Sequence, residues 1–462
     1  MHSRPGRGAR LSPWLAFAAG ESVFLGFALL PDARRHLAAY LLLFLAGSLL
    51  SISAARSLSA SSLRFLLVCA AVFRLTLLFR TPDLSEDVYR YLWDGRVATA
   101  GNSPYALAPA DARPDFFPAL RRQVSYPELR TVYPPVAQAA FRAVASSPFP
   151  GIFAMKGLFS AADVAVVALL FASGGAGARF AAALYAFHPL PVTETAGQGH
   201  LDSLGVALLL ACVVFLARQR PRRLSAGIAF ALAVLVKYVP LAAAPALLRR
   251  GRLWFAATTI AATAVVWMLA TRGGVSPAGG LGPYATRWEF NSVLYPAVSA
   301  AVDRLDLPQR AKSAYIRWKE KREYRPWMQK IFPYFYTGFF ARALLGIALG
   351  VALLIIGVSV KEVELAVFVS IAALLLASPT LHPWYLLWVL PFAAKRREPA
   401  FLFLCTAAPI AYGLLHPLAG WTPLAIRVVE YGPFAVLLGA RLYVAAKRRG
   451  QLNSLAPLAG RG

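Results

Sequence analysis

Charged residues are scarce in this chain, and acidic residues are the scarcest. Only 15% of its 462 residues are charged, with 21 Asp and Glu against 48 Lys and Arg, whereas 58% are hydrophobic. A soluble globular chain carries about 25% charged residues, so this composition excludes that class. Several apolar runs reach the ~20 residues that cross a bilayer as a helix. The sequence therefore predicts an all-α polytopic integral membrane protein.

Cysteine is also rare, and the motifs of several functional classes are missing. Cys69, Cys212 and Cys405 all lie inside apolar runs, which indicates packed thiols and not disulfides or metal ligands. The sequence contains no zinc spacing, no Gly-rich RNA motif and no nucleotide-binding pattern. The net charge of +27 arises mostly from bases that flank apolar runs, where they set topology and contact anionic lipid. We expect membrane lipids as partners and no nucleic acid.

Basic residues predict the topology. The short loops "AARSLSASSLR", "RQRPRR", "LRRGR", "AKRREP" and "AKRRG", and the N-terminus, should be cytoplasmic. This assignment makes 134–148 a partly embedded outer helix. It leaves the basic loop "PDARRH" (31–36) outside, against the rule that basic loops are cytoplasmic. We interpret the first apolar run as a retained span. We expect about 11–14 membrane helices. The apolar segments are 12–30, 36–54, 62–80, 151–173, 180–193, 201–217, 224–237, 238–248, 253–270, 335–358, 361–377, 383–394, 399–415 and 423–446.

The outer face should carry two large loops of one transmembrane domain, residues 1–462. The first, 81–150, has juxtamembrane helices, and its 81–135 part carries seven acids and six bases. The second, 271–334, is basic, with eleven bases and five acids, and "RAKSAYIRWKEKREYRPWMQK" predicts an amphipathic helix on the membrane. Ionisable and aromatic residues that collect at span ends on one face indicate a site at that surface.

The stretch "SEDVYRYLWDGR" (85–96) is acidic and aromatic, and it follows an apolar run directly. Ser85 fits a helix N-cap with Glu86 and Asp87 in the first turn, where the helix dipole favours acids. Alternatively, a carboxylate flanked by aromatics at a membrane surface can act as a general base towards an acceptor hydroxyl. At helical spacing one face presents Asp87, Arg90, Tyr91 and Asp94, so Arg90 can also simply pair with an acid.

Other segments also allow both a structural and a functional interpretation. Asp202 fits an N-cap of a helix over 203–217 or a site acid, and His200 precedes it in "ETAGQGHLD". Lys237, before "YVP", can snorkel or bind a lipid phosphate as a point charge. "VYPPVAQ" predicts that a helix starts at its prolines. In "HPWYLLW", an aromatic belt or a sugar-binding surface is formed by His382, Trp384 and Tyr385.

Together these motifs resemble the GT-C superfamily of polyprenyl-phosphate-sugar-dependent glycosyltransferases, most closely the bacterial mannosyltransferase-like DUF2029 or GT87 group. The resemblance covers about residues 62–394. It rests on "SEDVYRYLWDGRV", "GNSPYALAP", "TVYPPVAQ", "HPLPVTETAGQGHLD", "LVKYVP" and "SPTLHPWYLLW".

The resemblance implies a GT-C-type fold, a polyprenyl-phosphate sugar donor, a glycan or glycolipid acceptor and transfer with inversion, with mannose as the default sugar. It places the catalytic acid at Asp87, with Glu86 beside it. It also implies that the enzyme lies in the bacterial inner membrane with its site facing the periplasm or exterior. No cofactor is required by the resemblance, although an acidic pair can bind a divalent metal. Lys237 or an arginine can stabilise the phosphate that leaves.

Two other classes of membrane protein fit some of the same features. A lipid-linked-sugar transporter or flippase also uses short, Pro-broken helices, but it should bury charges near the midplane, and it often shows internal repeats, which this sequence lacks. A polymerase or ligase that uses a lipid-pyrophosphate donor would share the surface site. The sequence leaves these alternatives open.

Overall fold

The computed structural model describes residues 11–175, 177–271, 274–277, 280–416 and 420–455. The regular secondary structure of these residues is helical, with no strand among them. The predicted cytoplasmic N-terminus, 1–10, lies outside the described residues. Five helices within the described ranges are long and apolar enough to cross a membrane, and six apolar helices are shorter. The prediction of an all-α polytopic membrane protein is confirmed.

The described part of the first half of the chain forms eleven α-helices. They are α1 (Pro13–Leu29), α2 (Leu37–Leu58), α3 (Leu63–Leu78), α4 (Asp87–Thr99), α5 (Pro118–Arg121), α6 (Pro135–Ala145), α7 (Ile152–Ala172), α8 (Ala178–Phe187), α9 (Pro189–Pro191), α10 (Asp202–Ala217) and α11 (Arg223–Val236). Of these, α4, α5 and α6 lie in the first large loop.

The second half begins with a long, kinked helix. Its helices are α12 (Ala244–Ala270), α13 (Leu281–Arg287), α14 (Tyr295–Arg304), α15 (Leu307–Glu320), α16 (Thr337–Ser359), α17 (Val363–Ala377), α18 (Leu390–Arg396), α19 (Pro399–Ala407) and α20 (Pro423–Leu455). Between them lie 3-10 turns at Val239–Ala243, Pro326–Tyr334, Pro383–Trp388 and Ala408–Leu414.

Prolines break two of the predicted spans. In place of one helix over 180–193, α8 ends at Phe187, α9 makes a single turn and a π-helix follows at Val192–Gly197. Pro189 and Pro191 cannot donate backbone hydrogen bonds, so the α8 ladder cannot continue through them. The segment 383–394 is likewise a 3-10 turn followed by α18.

The predicted break at "VKYVP" is present. Helix α11 ends at Val236, and a 3-10 turn leads into α12. Helix α12 joins the predicted segments 238–248 and 253–270, with a kink at Arg252, whose φ is 60°. The stretch 134–148 forms only the eleven-residue α6, which is too short to span a bilayer at 1.5 Å per residue.

The loops 81–135 and 271–334 meet at one end of the bundle, called here the loop end. The rings of Tyr126 and Trp288 lie 4.4 Å apart, and a Cβ on Gly280 would lie 2.2 Å from the carbonyl oxygen of Thr131. Only glycine allows this close approach. The predicted amphipathic helix is present as two pieces, α15 and the turn Pro326–Tyr334.

Not every ionisable residue lies at the loop end. An ion pair inside the bundle joins α3 to α7, with Arg74 Nη2 2.7 Å from Asp163 Oδ2, and both side chains are buried. The hydroxyl of Tyr185, on α8, donates to the same carboxylate at 2.6 Å. Every oxygen of Asp163 is therefore paired. Breaking such a pair typically costs about 3–5 kcal/mol, so this triad holds three helices in register.

Candidate active site

The site is built around the first residue of α4. The helix starts at Asp87, and Glu86 occupies the N-cap position without a capping side-chain bond. Ser85, predicted as the N-cap, lies one residue earlier, and its hydroxyl accepts the Asp87 amide proton at 3.3 Å. This turn places the Asp87 carboxylate at the loop end, where its side chain remains 38% exposed. The surroundings of this carboxylate are called here the cleft.

A buried histidine lies between Asp87 and a second carboxylate. His200 Nδ1 is 3.6 Å from Asp87 Oδ2, and His200 Nε2 is 3.5 Å from Glu194 Oε2. Both His200 and Glu194 have fully buried side chains. The Tyr412 hydroxyl donates to Glu194 at 2.8 Å and so fixes the position of this second carboxylate. An imidazole between two carboxylates can hold or pass a proton taken at Asp87.

Four rings stack in a row from His200. His200 lies on Trp384 with centroids 3.8 Å apart, Trp384 on His382 at 4.3 Å, and His382 on Phe290 at 4.4 Å. Successive planes differ by 14°, 7° and 16°, so the row is nearly parallel. A two-residue bridge between Phe290 and Thr380 holds the last ring against the His382 loop. We call this row the ring stack.

The surroundings of the cleft shift the pKa of two of its groups. Burial tends to raise the pKa of the Asp87 carboxyl, but the imidazole of His200, together with the charge of Lys237, outweighs burial and lowers that pKa below the ordinary value. Burial lowers the pKa of His382 to about 3, so this ring is neutral at physiological pH. Asp87 is therefore ionised, as a general base must be before it accepts a proton.

Lys237 and Asp202 form a second charged pair in the cleft. Lys237 Nζ lies 2.8 and 3.0 Å from the two Asp202 oxygens and 4.3 Å from the centroid of the Tyr385 ring. Trp388 Nε1 also donates to Asp202, at 2.6 Å. Asp202 starts α10 but its side chain does not cap it. Lys237 retains a side chain that is 17% exposed, so the ammonium still reaches the cleft.

The remaining predicted residues of α4 make packing and hydrogen-bond contacts with neighbouring elements. Arg90 pairs with Asp94 at 3.0 Å and donates to the Leu129 carbonyl oxygen at 2.8 Å, while Gln138 donates to Asp94 at 2.8 Å. These bonds tie α4 to α6 and to the loop between them. Tyr91 is buried and stacks on Phe141 of α6 with centroids 4.7 Å apart.

Glu86 faces a different cavity from Asp87. It lies 3.5 Å from Arg34 and accepts a hydrogen bond from Ser125, at the rim of a surface cavity of about 530 Å³. Consequently Glu86 and Asp87 do not converge as a pair. Within the described ranges, no group of three His, Cys, Asp or Glu side chains is placed to hold a metal ion.

Glu194 was not among the predicted site residues. It stands within an otherwise uncharged apolar segment, and an ionisable residue in such a position is by default a candidate for function. The predicted groups that the structure does bring together around Asp87 are His200, Asp202, Lys237, His382, Trp384 and Tyr385.

Comparison with known proteins identifies the family. Residues 15–250 match the MptA_B family model, described as "Alpha-(1->6)-mannopyranosyltransferase, N-terminal domain". No curated protein and no solved structure matches the chain. The matched range contains Asp87, Glu194, His200, Asp202 and Lys237, and it covers just over half of the chain. It fits the mannosyltransferase-like GT-C group that the motifs resemble, and the chain belongs to the alpha-(1->6)-mannopyranosyltransferase family of membrane glycosyltransferases.

Proposed function

We propose that the protein transfers a mannosyl residue from a polyprenyl-phosphate donor to a glycan or glycolipid acceptor, with inversion, at the outer face of the bacterial inner membrane. The family supports mannosyl transfer, with a sugar donor and an acceptor. The lipid donor, the stereochemistry and the roles of residues are the additions of this proposal. Its main support is Asp87, a 38% exposed carboxylate with a lowered pKa that lies beside the fully buried His200.

In the proposed reaction, Asp87 accepts the proton of an acceptor hydroxyl as that oxygen attacks the anomeric carbon. The bond from this carbon to the phosphate oxygen breaks, and polyprenyl phosphate leaves with the electron pair. His200 positions the carboxylate through its Nδ1 and stabilises its charge. Attack by a base-activated acceptor on the face opposite the leaving group inverts the anomeric centre.

Lys237 and the aromatic rings would bind the donor. Lys237 reaches the cleft while Asp202 and Tyr385 hold it in place, so its charge is available to a phosphate group without a further loss of rotamer entropy. Trp384, Tyr385 and His382 give ring surfaces and edges on which a pyranose packs. Glu86, Arg90, Tyr91 and Asp94 would support this site from the other side of α4.

The test is product release from a panel of polyprenyl-phosphate sugars. Purified protein in detergent with a mannan acceptor should release polyprenyl phosphate from the mannosyl donor and form a mannoside of inverted configuration. Turnover of a lipid-pyrophosphate donor in place of the monophosphate would indicate the polymerase or ligase class. Movement of the intact donor across proteoliposomes without release would indicate the transporter class.

The orientation in the membrane is tested separately with two single cysteines. Ala110 and Arg220 are both exposed and lie in loops assigned to opposite sides. The three native cysteines are buried, and they would be replaced first. An impermeant maleimide added to intact cells should label the Ala110→Cys protein and spare the Arg220→Cys protein until the cells are opened. Labelling of both from the same side would remove the outward-facing site.

A further inference from the structure

A second cavity opens at the far end of the ring stack. It has a volume of about 520 Å³ and lies between the loop at 289–292, α14 and the start of α20, with Phe290 in its wall. Phe290 is also the last ring of the stack. Phe290 therefore forms a wall shared by the cavity and the ring stack. We call it the α20 cavity.

Two polar groups in this cavity have no partner among the described residues. The Nε of Arg427 is buried without a hydrogen-bond acceptor, and Arg427 forms no ion pair with a described carboxylate within 4.0 Å. Asn291 is 2% exposed, and its Oδ1 likewise lacks a donor. Its amide nitrogen is held by Glu430 at 2.8 Å, so Oδ1 is fixed in place. Buried polar atoms left unpaired are costly unless a ligand satisfies them.

The acids of the cavity do not neutralise Arg427. Glu289 pairs with Arg342 at 2.7 Å, and Asp303 accepts from the hydroxyl of Thr337. Glu430, one turn further along α20, interacts electrostatically with Arg427, but its carboxylate accepts from Asn291, and among the described groups no ion pair within 4.0 Å engages the guanidinium. Next to Arg427 on α20, Leu424 and Val428 are 70% and 58% exposed on a helix apolar enough to span the membrane, so this wall of the cavity borders lipid.

We infer that the α20 cavity is a second binding site for the sugar-phosphate head group of the lipid-linked donor, occupied before the phosphate reaches Lys237, with Arg427 on the phosphate oxygens and Asn291 Oδ1 on a sugar hydroxyl. Arginine provides a planar fork of donors that matches a phosphate, whereas an amide oxygen accepts from a hydroxyl. A ligand that satisfies both groups carries an anion and a hydroxyl together. This inference rests on the proposed function and adds a second position for the donor head group.

The position suits entry of the donor from the bilayer. Phe290 belongs both to the cavity wall and to the ring stack, whose first ring, His200, has its Nδ1 3.6 Å from Asp87 Oδ2. From Arg427 the head group would pass along the ring stack to Lys237, which brings the sugar to Asp87 for the inverting displacement.

The test compares Arg427→Gln with Arg427→Lys and with Arg441→Gln. Arg441 lies on the same helix and pairs with Glu398 at 3.2 Å, far from the cavity lining. Arg427→Gln should raise the KM for the donor by about ten- to a hundred-fold, the usual effect of losing a charge-assisted contact. The acceptor KM should stay constant, Arg427→Lys should recover part of the loss, and Arg441→Gln should match wild type. An unchanged donor KM in folded Arg427→Gln protein overturns the inference.

A binding assay separates this inference from the proposed function. Intrinsic tryptophan fluorescence of full-length Asp87→Asn protein would be titrated with polyprenyl-phosphate mannose, polyprenyl phosphate and phosphatidylglycerol micelles. Arg427→Gln should weaken the binding of both polyprenyl ligands, and Asn291→Ala should weaken the binding of only the sugar-bearing one. Equal affinity for phosphatidylglycerol would make the cavity a general anionic-lipid site and would overturn the assignment. Binding without any turnover by wild type would instead reject the proposed function alone.

Discussion

Helix α4 carries Asp87 and Asp94 seven residues apart, and their surroundings are opposite. Asp94 is fully buried, and its two oxygens accept from Arg90 at 3.0 Å and Gln138 at 2.8 Å. Asp87 is 38% exposed and faces only a histidine, at 3.6 Å. One carboxylate has its hydrogen-bonding capacity used by the fold, whereas the other retains free lone pairs towards the cleft. The first stabilises the protein, and the second is available to a substrate.

The most direct test of this difference between the two carboxylates is Asp87→Asn. Asparagine keeps the size of the side chain and its hydrogen bonding but cannot accept a proton, so turnover should fall by about two orders of magnitude or more. Folding and donor binding should survive, because losing the favourable dipole interaction costs only about 0.3–1 kcal/mol. Release of polyprenyl phosphate measures the loss, and thermal unfolding in detergent controls for stability. Near wild-type turnover would move the general base to Asp202.

Asp94→Asn should show the reverse pattern. The amide nitrogen of asparagine cannot accept from Gln138, and Arg90 is left without its counter-charge, so the free energy of unfolding should drop by about 3 kcal/mol. Turnover per folded molecule should change little. The measurements are the thermal midpoint and the specific activity of the monodisperse fraction. Equal loss of activity in stable Asp94→Asn protein would mean that both acids serve the chemistry.

The histidine between the two carboxylates should control the pH dependence. His200 lowers the pKa of Asp87 against the effect of burial, so the acid limb of kcat/KM in wild type should lie below the ordinary range of a carboxyl group. In His200→Gln the burial effect is opposed mainly by the charge of Lys237, so the pKa of Asp87 rises and the acid limb should move to higher pH. A profile of kcat/KM from about pH 3 to 8 measures this. The same limb in both proteins would remove His200 as the cause.

Most of the fold was predictable because a membrane span can be recognised from its local amino-acid composition. The expected segments 12–30 and 151–173 correspond closely to α1 and α7, since hydropathy and flanking charge are properties of neighbouring residues. The breaks within 180–193 were visible as prolines, but the π-helix that follows them depends on packing against other helices. The buried pair Arg74–Asp163 also depends on such packing, and neither residue alone indicates its partner.

The site residues were predictable only where they lie in recognisable sequence motifs. His200, His382 and Trp384 come from two motifs and do meet in the ring stack. Glu194 carried a local signal, because it is an ionisable residue six positions before His200 in "ETAGQGHLD". Arg427 carried none, because its cavity is formed with the Asn291 loop, more than a hundred positions away. Such long-range pairing leaves no periodic signal in a single sequence.

Glu86 sharpens the comparison because it is adjacent to Asp87 in the chain yet faces another cavity. Its 46% exposed side chain pairs with Arg34 at 3.5 Å, and an exposed ion pair of this kind contributes about 0–1 kcal/mol. Glu86→Gln should therefore leave turnover within about fivefold of wild type, although it changes the charge at the start of α4 by the same amount as Asp87→Asn. Parallel assays of the two variants, at matched donor and acceptor concentrations, isolate the effect of position from the effect of charge. If Glu86→Gln loses as much activity as Asp87→Asn, the two acids act together, and the separation of the two cavities does not describe the working enzyme.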